Sequence, residues 1–285
     1  EPNVILTVDH TPLNPDGRKE VNGNTVNGVY PGPEIRVREG QQLRIRLKNY
    51  LRDQYTLMHW HGLLLPAVMD GVPYIAAEPI HTREVFVYEY PIRQSGTYWY
   101  HSHYALQEQL GVAGPFIIEP KREPLQYDHE YIILLTDWTH SDPYQIIPNL
   151  RKAAAEMGDE TMEMEDEPDL SDVNYDAFLM NGRANNDPWK GTARPGDRVR
   201  LRIINGGTST FFRFMIDGHA LTITHADGPA VQPVEVDSML IGMGETYDAM
   251  VTMGPSSSYT IRAEAQDGSG QAIGILHTPD ATAEA

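Results

Sequence analysis

The chain has no cysteine among its 285 residues. That one absence excludes disulfides, zinc–thiolate sites and thiol nucleophiles, along with any metal centre whose chemistry needs a thiolate. Basic charge is scarce too: 22 Lys and Arg stand against 40 Asp and Glu, for a net charge of −18. A surface of that sign disfavours nucleic acid as a partner, and most of the charge reads as a well-solvated surface. No apolar run approaches the length needed to span a bilayer. No signal peptide is visible, since Glu1-Pro2-Asn3 runs directly into VILTV, so a mature, processed form is expected. Helical periodicity is convincing only around residues 150–157.

What is present is a strand-and-turn grammar. The chain is punctuated by 24 Gly and 21 Pro, and runs such as EIRVREGQQLRIRLKN and DRVRLRIIN alternate apolar with polar residues. That pattern predicts an all-β sandwich architecture. It also repeats. NGVYPGPEIRVREGQQLRIRLKN at 27–49 is echoed by NGRANNDPWKGTARPGDRVRLRIIN at 181–205, and GVAGPFIIEP at 111–120 by GQAIGILHTP at 270–279, an offset of 159 residues. Two related sandwiches are therefore expected, 1–120 and 128–285, joined by the linker KREPLQY at 121–127. The second carries an insertion over about 140–176, whose segment 156–172 holds nine acidic residues and no basic one. Its three methionines, Met157, Met162 and Met164, allow a copper-capture reading, although a solvated surface loop explains them as well.

Four of the 11 histidines fall in two His-x-His pairs, His59 and His61 in MHWHG and His101 and His103 in GTYWYHSH. In a strand, residues i and i+2 share a face, about 6.5–7 Å apart. Two such strands side by side would present four imidazoles to one surface. Neutral imidazole suits copper, zinc, iron or nickel, and with neither thiolate nor carboxylate inside the motifs, copper leads. Trp60 and Trp99 are expected to flank the ligands on the opposite face and pack into the sandwich core. His219 and His225 read as structural. His10, His81, His129, His140 and His277 read as surface or hydrogen-bonded residues.

HWHG and YWYHSH resemble the first-domain ligand motifs of the multicopper oxidases, and the surrounding wording is most similar to their bacterial copper-resistance and laccase-like branch. FLMNG at 178–182 and GETYD at 244–248 resemble landmarks of the second domain. The resemblance implies two tandem Greek-key cupredoxin-type β-sandwiches, the second bearing the acidic insertion. It assigns His59 to a type 2 copper, His61 and His101 to one type 3 copper, and His103 to the other. Asp70, in MDGVP, matches an acid that delivers protons during oxygen reduction; read alone, it is equally a turn residue.

That family closes its three-copper cluster with eight histidines, and this chain supplies four. The remaining four, and the type 1 copper, belong to a further cupredoxin domain. The repeat aligns His101 with Thr260 and His103 with Arg262, whose permanent positive charge rules out ligation, so the second sandwich is expected to hold no copper ligand. Inside the first, Ser102, Gln107 and Val112 stand where a type 1 site has Cys, His and Met.

The resemblance thus implies a laccase-type oxidase coupling phenols or Cu(I) to reduction of O2 to water. A third cupredoxin domain, in cis or in trans, would complete it in the periplasm or another extracytoplasmic compartment. The alternative is a two-domain copper-binding or storage protein without turnover; a copper-free interaction protein is the remaining reading. The histidine-bearing face should be unusually open in this chain.

Overall fold

A computed structural model describes residues 3–156 and 173–279. In the first half the strands are β1 (Val4–Leu13), β2 (Val21–Val26), β3 (Ile35–Arg38), β4 (Gln42–Asn49), β5 (Met58–His61), β6 (Val85–Pro91), β7 (Gly96–Ser102) and β8 (Ala113–Glu119). They form two four-stranded sheets, ordered β2-β1-β4-β6 and β3-β8-β7-β5. The alternation seen in QLRIRLKN is realised directly: Leu43, Ile45 and Leu47 of β4 are buried while Gln42, Arg44 and Arg46 face solvent. Each such buried aliphatic contributes about 1.5–3 kcal/mol. They meet Trp60, Tyr88, Tyr90, Tyr100 and Phe116, which fill the space between the sheets.

The second half contains β9 (His129–Trp138), helix α1 (Pro143–Glu156), β10 (Ala177–Met180), β11 (Trp189–Thr192), β12 (Arg198–Asn205), β13 (Phe212–Ile216), β14 (Leu221–Ala226), β15 (Ala230–Val236), β16 (Met239–Ile241), β17 (Thr246–Thr252), β18 (Ser258–Ala265) and β19 (Gln271–His277). Its sheets are ordered β10-β9-β12-β17-β14-β15 and β11-β19-β18-β13-β16. The internal repeat is visible in the pairing. β4 runs parallel to β1 as β12 runs parallel to β9, and β5 pairs with β7 as β13 pairs with β18. Sequence-distant neighbours in every sheet are the crossovers of Greek-key sandwiches.

The helix is longer than its sequence pattern suggested. It begins at Pro143, with the Asp142 carboxylate accepting the Tyr144 amide at 2.9 Å as its cap. Pro148 lies inside it and interrupts the apolar spacing, so only the segment after it reads as helix. The acidic run from residue 157 to 172, with its three methionines, lies outside the described residues.

The two sandwiches share apolar clusters. In one, Trp99 and Ala113 meet Leu134 and Ile204; in another, Leu13 meets Trp138, Leu179 and Ala184. Beside them runs a buried polar network. Asp248 of β17 accepts from Thr97 of β7 at 2.5 Å and from Arg200 at 2.6 Å, and lies 3.3 Å from Arg202. Arg202 continues to Glu130 at 2.9 Å, Glu130 to Arg36 at 2.9 Å, and Arg200 reaches Glu123 at 2.7 Å.

Candidate metal centre

Strands β5 and β7 are antiparallel neighbours in register, with His59 opposite His101 and His61 opposite Trp99. The period-2 spacing of each His-x-His pair therefore puts all its imidazoles on one face. Ligand nitrogens of His59, His61 and His101 all lie within 4.8 Å of one another. The shortest approach is His61 Nδ1 to His101 Nε2, at 3.3 Å. Two imidazole nitrogens that far apart, each about 2.0–2.1 Å from a shared metal, would subtend an angle of roughly 105–110°, an ordinary coordination angle. His103 stands at the rim, its ring 5.5 Å from that of His59 and 5.9 Å from that of His101.

Two of these rings are held by their outer nitrogens. His59 Nδ1 lies 2.7 Å from the Asp70 carbonyl and 3.3 Å from its carboxylate. His101 Nδ1 lies 3.1 Å from the Ser102 carbonyl and 3.0 Å from the Glu108 carboxylate. Donation there fixes the tautomer and leaves each Nε2 lone pair for a metal, the usual support of a ligating histidine. Asp70 reaches His59 because the following residue is Gly71. A Cβ at Gly71 would sit 1.7 Å from the Met58 carbonyl oxygen, so only glycine lets this loop press against the start of β5.

The electrostatics suit a cation. Burial, reinforced by the neighbouring charges of His101 and His59, pushes His61 down to about 4. Burial likewise lowers His59, against the opposing hydrogen bond that its ring donates to the Asp70 carbonyl. At neutral pH these rings are unprotonated, the form that binds metals.

Two expectations need correction. Trp60 packs into the core between the sheets as expected, whereas Trp99 is buried outside it, in the apolar cluster with Ala113, Leu134 and Ile204 where the two sandwiches meet. It shares the face of His101, two residues away, and stacks on both His101 (4.3 Å, 23°) and His61 (5.0 Å, 26°). The face is also less open than expected: His103 is exposed, His59 and His61 are half-buried, and His101 is only 6% exposed. The Trp99 ring and the Glu108 side chain account for its cover. Glu108 itself was missed, since it lies on the turn after β7, where strand parity no longer reports direction. Its only signal was an acid five residues beyond His103.

The remaining residues fall where they were expected. Gln107 Oε1 accepts from both Ser102 and Thr56 at 2.8 Å, and Val112 is fully buried beside them through the Ser102 amide bond to its carbonyl. On the corresponding strand pair of the second sandwich, Arg262 is clasped by Asp217, at 2.9 Å for Nε–Oδ1 and 3.0 Å for Nη2–Oδ2. His219 accepts from the Gly254 amide and His225 lies 3.5 Å from Asp248. His10 bonds Asn24, His129 bonds Asp197, His140 lies between Asp16 and Asp176, and His277 meets the Thr278 carbonyl, while His81 packs edge-on to Tyr55.

Glu108→Gln should lower copper affinity about tenfold, the low end of the range for losing an outer hydrogen-bond partner, because the Ser102 carbonyl still accepts. Competition against a chelator of known affinity measures it; unchanged affinity would show that the carboxylate is incidental.

Comparison with known proteins identifies the family. Residues 7–123 and 129–283 each match a family model described as multicopper oxidase. Copper resistance protein A of Pseudomonas syringae pv. tomato is 40% identical over 95% of this chain, and that of Escherichia coli 40% identical over 96%. Each match covers 49% of the relative, so the chain spans about half the length of these proteins. The crystal structure of a laccase from Botrytis aclada superposes with a TM-score of 0.81 at 30% identity, covering 99% of this chain and 55% of that one. The paired histidine strands, the duplicated cupredoxin-type sandwich and the matches spanning both halves place the chain in the multicopper oxidase family.

Proposed function

We propose that the chain supplies half of a trinuclear copper site, and no type 1 site, to a laccase-like copper oxidoreductase. The observation that carries this reading is the 3.3 Å approach of His61 Nδ1 to His101 Nε2, with His59 held beside them and His103 set apart. In this reading His61 and His101 hold one type 3 copper, His103 the other, and His59 the type 2 copper. The donor set fits: all-imidazole and without a thiolate, with burial favouring the neutral form of His59 and His61. Copper bound there would supply the one-electron redox chemistry needed for the four-electron reduction of O2 to water.

The protein's own part is positional and protonic. Asp70 and Glu108 keep the His59 and His101 rings aimed into the site. Oxygen reduction consumes four protons, and the Asp70 carboxylate, about one-third exposed and 3.3 Å from His59 Nδ1, can take a proton from solvent and hold it at the edge of the cluster. The electron-entry site and the other four histidines come from a further cupredoxin domain. Phenols or Cu(I) are the proposed reductants, and an extracytoplasmic compartment the proposed setting.

The test joins the chain to a cupredoxin unit bearing His-x-His and His-Cys-His motifs, loads copper, and follows O2 uptake with a phenol. Uptake well above that of either part alone is expected. Full copper loading without uptake would replace this reading with the non-catalytic copper-binding one.

A further inference from the structure

In the second sandwich β13 and β18, the counterparts of β5 and β7, carry no histidine, yet this sandwich touches the site. The chain between β16 and β17 brings Gly244 against the His61 ring. A Cβ on Gly244 would lie 2.9 Å from His61 Cε1 and 3.1 Å from its Nε2, but 3.9 Å from Nδ1. The Nε2 edge of His61 is thus backed by Gly244, and the Nδ1 edge is turned toward His101 Nε2. Trp99 completes the clamp. Its ring covers both imidazoles, and its Nε1–H donates to the Gly244 carbonyl at 3.3 Å.

This contact is built on a firm base. The Gly244 amide donates to the Asn205 carbonyl at 2.9 Å, and the Asn205 amide to the Glu245 carbonyl at 3.1 Å. Glu245 closes its own turn by accepting the Gly242 amide at 2.6 Å. Asn205 is fully buried, and its side chain bonds the Thr210 and Ile241 carbonyls and the Gly207 amide. A loop tied down in this way can dictate the pose of a ring it touches, since packed interiors do not yield continuously.

We infer that Gly244, acting with Trp99, is a positioning residue for the metal site of the other sandwich: it determines which nitrogen of His61 is offered to the metal shared with His101. The inference rests on the copper-site reading above. It makes a domain without ligands a determinant of copper affinity.

Gly244→Ala tests it, with Gly196→Ala as control. Both glycines have positive φ, +82° and +87°, so both substitutions carry the same backbone strain, but nothing lies within 4 Å of a Cβ at Gly196. Cu(II) is titrated into the full chain against a competing chelator, and the bound ion is examined by electron paramagnetic resonance. Gly244→Ala should lower affinity about 10–100-fold and alter the nitrogen hyperfine pattern, while Gly196→Ala leaves both as in the parent. Equal behaviour of the two variants overturns the inference. If Gly244→Ala does not fold, Trp99→Phe decides, because it keeps a ring on the imidazoles and deletes the bond to Gly244. A several-fold loss with a changed hyperfine pattern supports the clamp, and parental binding overturns it. Failure of the parent chain to bind copper at all would instead strike the copper-site reading itself.

Discussion

Replacing His101 by alanine should lower copper affinity by more than the 10–100-fold that follows loss of an outer hydrogen-bond partner. His101 is the most deeply buried imidazole of the group. It is opposite His59 across the ladder, 3.3 Å from His61 through its Nε2, and stacked on Trp99. In the proposed site its removal takes away a ligand and the partner that defines where the His61 lone pair points. His103→Ala should cost less, since that ring stands at the rim. Chelator competition on both variants ranks them, and circular dichroism shows whether the fold survives. Equal losses would mean that the cluster is not organised around His101.

The second large effect lies at the seam between the sandwiches. Asp248→Ala removes the one acid to which Arg200, Arg202, Thr97 and His225 all turn, in a position with no solvent exposure. Breaking a buried ion pair on one side strands the other charge and costs about 3–5 kcal/mol. At about 2–4 °C per kcal/mol for a chain of this class, the melting temperature should fall by roughly 6–20 °C. A fall of less than 2 °C would mean that water reaches the arginines. The same network predicts an acid limb. Burial alone would raise the Glu130 carboxyl, but Arg202 and Arg36 hold it below its ordinary 4.5. The unfolded chain then binds that proton more readily. The stability Glu130 brings is present above about pH 4.5 and is lost as pH falls through the lower folded value.

Much of this was readable from residue order. Alternation in QLRIRLKN announced β4, and the His-x-His spacing announced a shared face, because both depend only on the two-residue period of a strand. Trp99 was misplaced although the same rule applied: positions 99, 101 and 103 have one parity, and the indole belongs with the imidazoles. Glu108 and Gly244 were beyond the rule. One sits past the end of its strand, and the other approaches from 183 residues away in the chain. The Asp248 network was hidden for a related reason, since Thr97 and Asp248 lie 151 positions apart and only the closed fold joins them. In α1, Pro148 broke the only periodicity that could have revealed the first turns.

One face of β7 carries Thr97, Trp99 and His101 in succession, the first bonded to Asp248, the second to Gly244, the third grouped with His59 and His61 in the candidate metal site. If His101 binds copper as proposed, two folding units joined along the strand that bears it cannot melt independently of the site's occupancy. Calorimetry should show a single transition rather than two, and an ion that binds only the native state should move that whole transition upward as its free concentration rises. Copper supply would then set the lifetime of the entire chain against unfolding and proteolysis, including the half that holds no ligand.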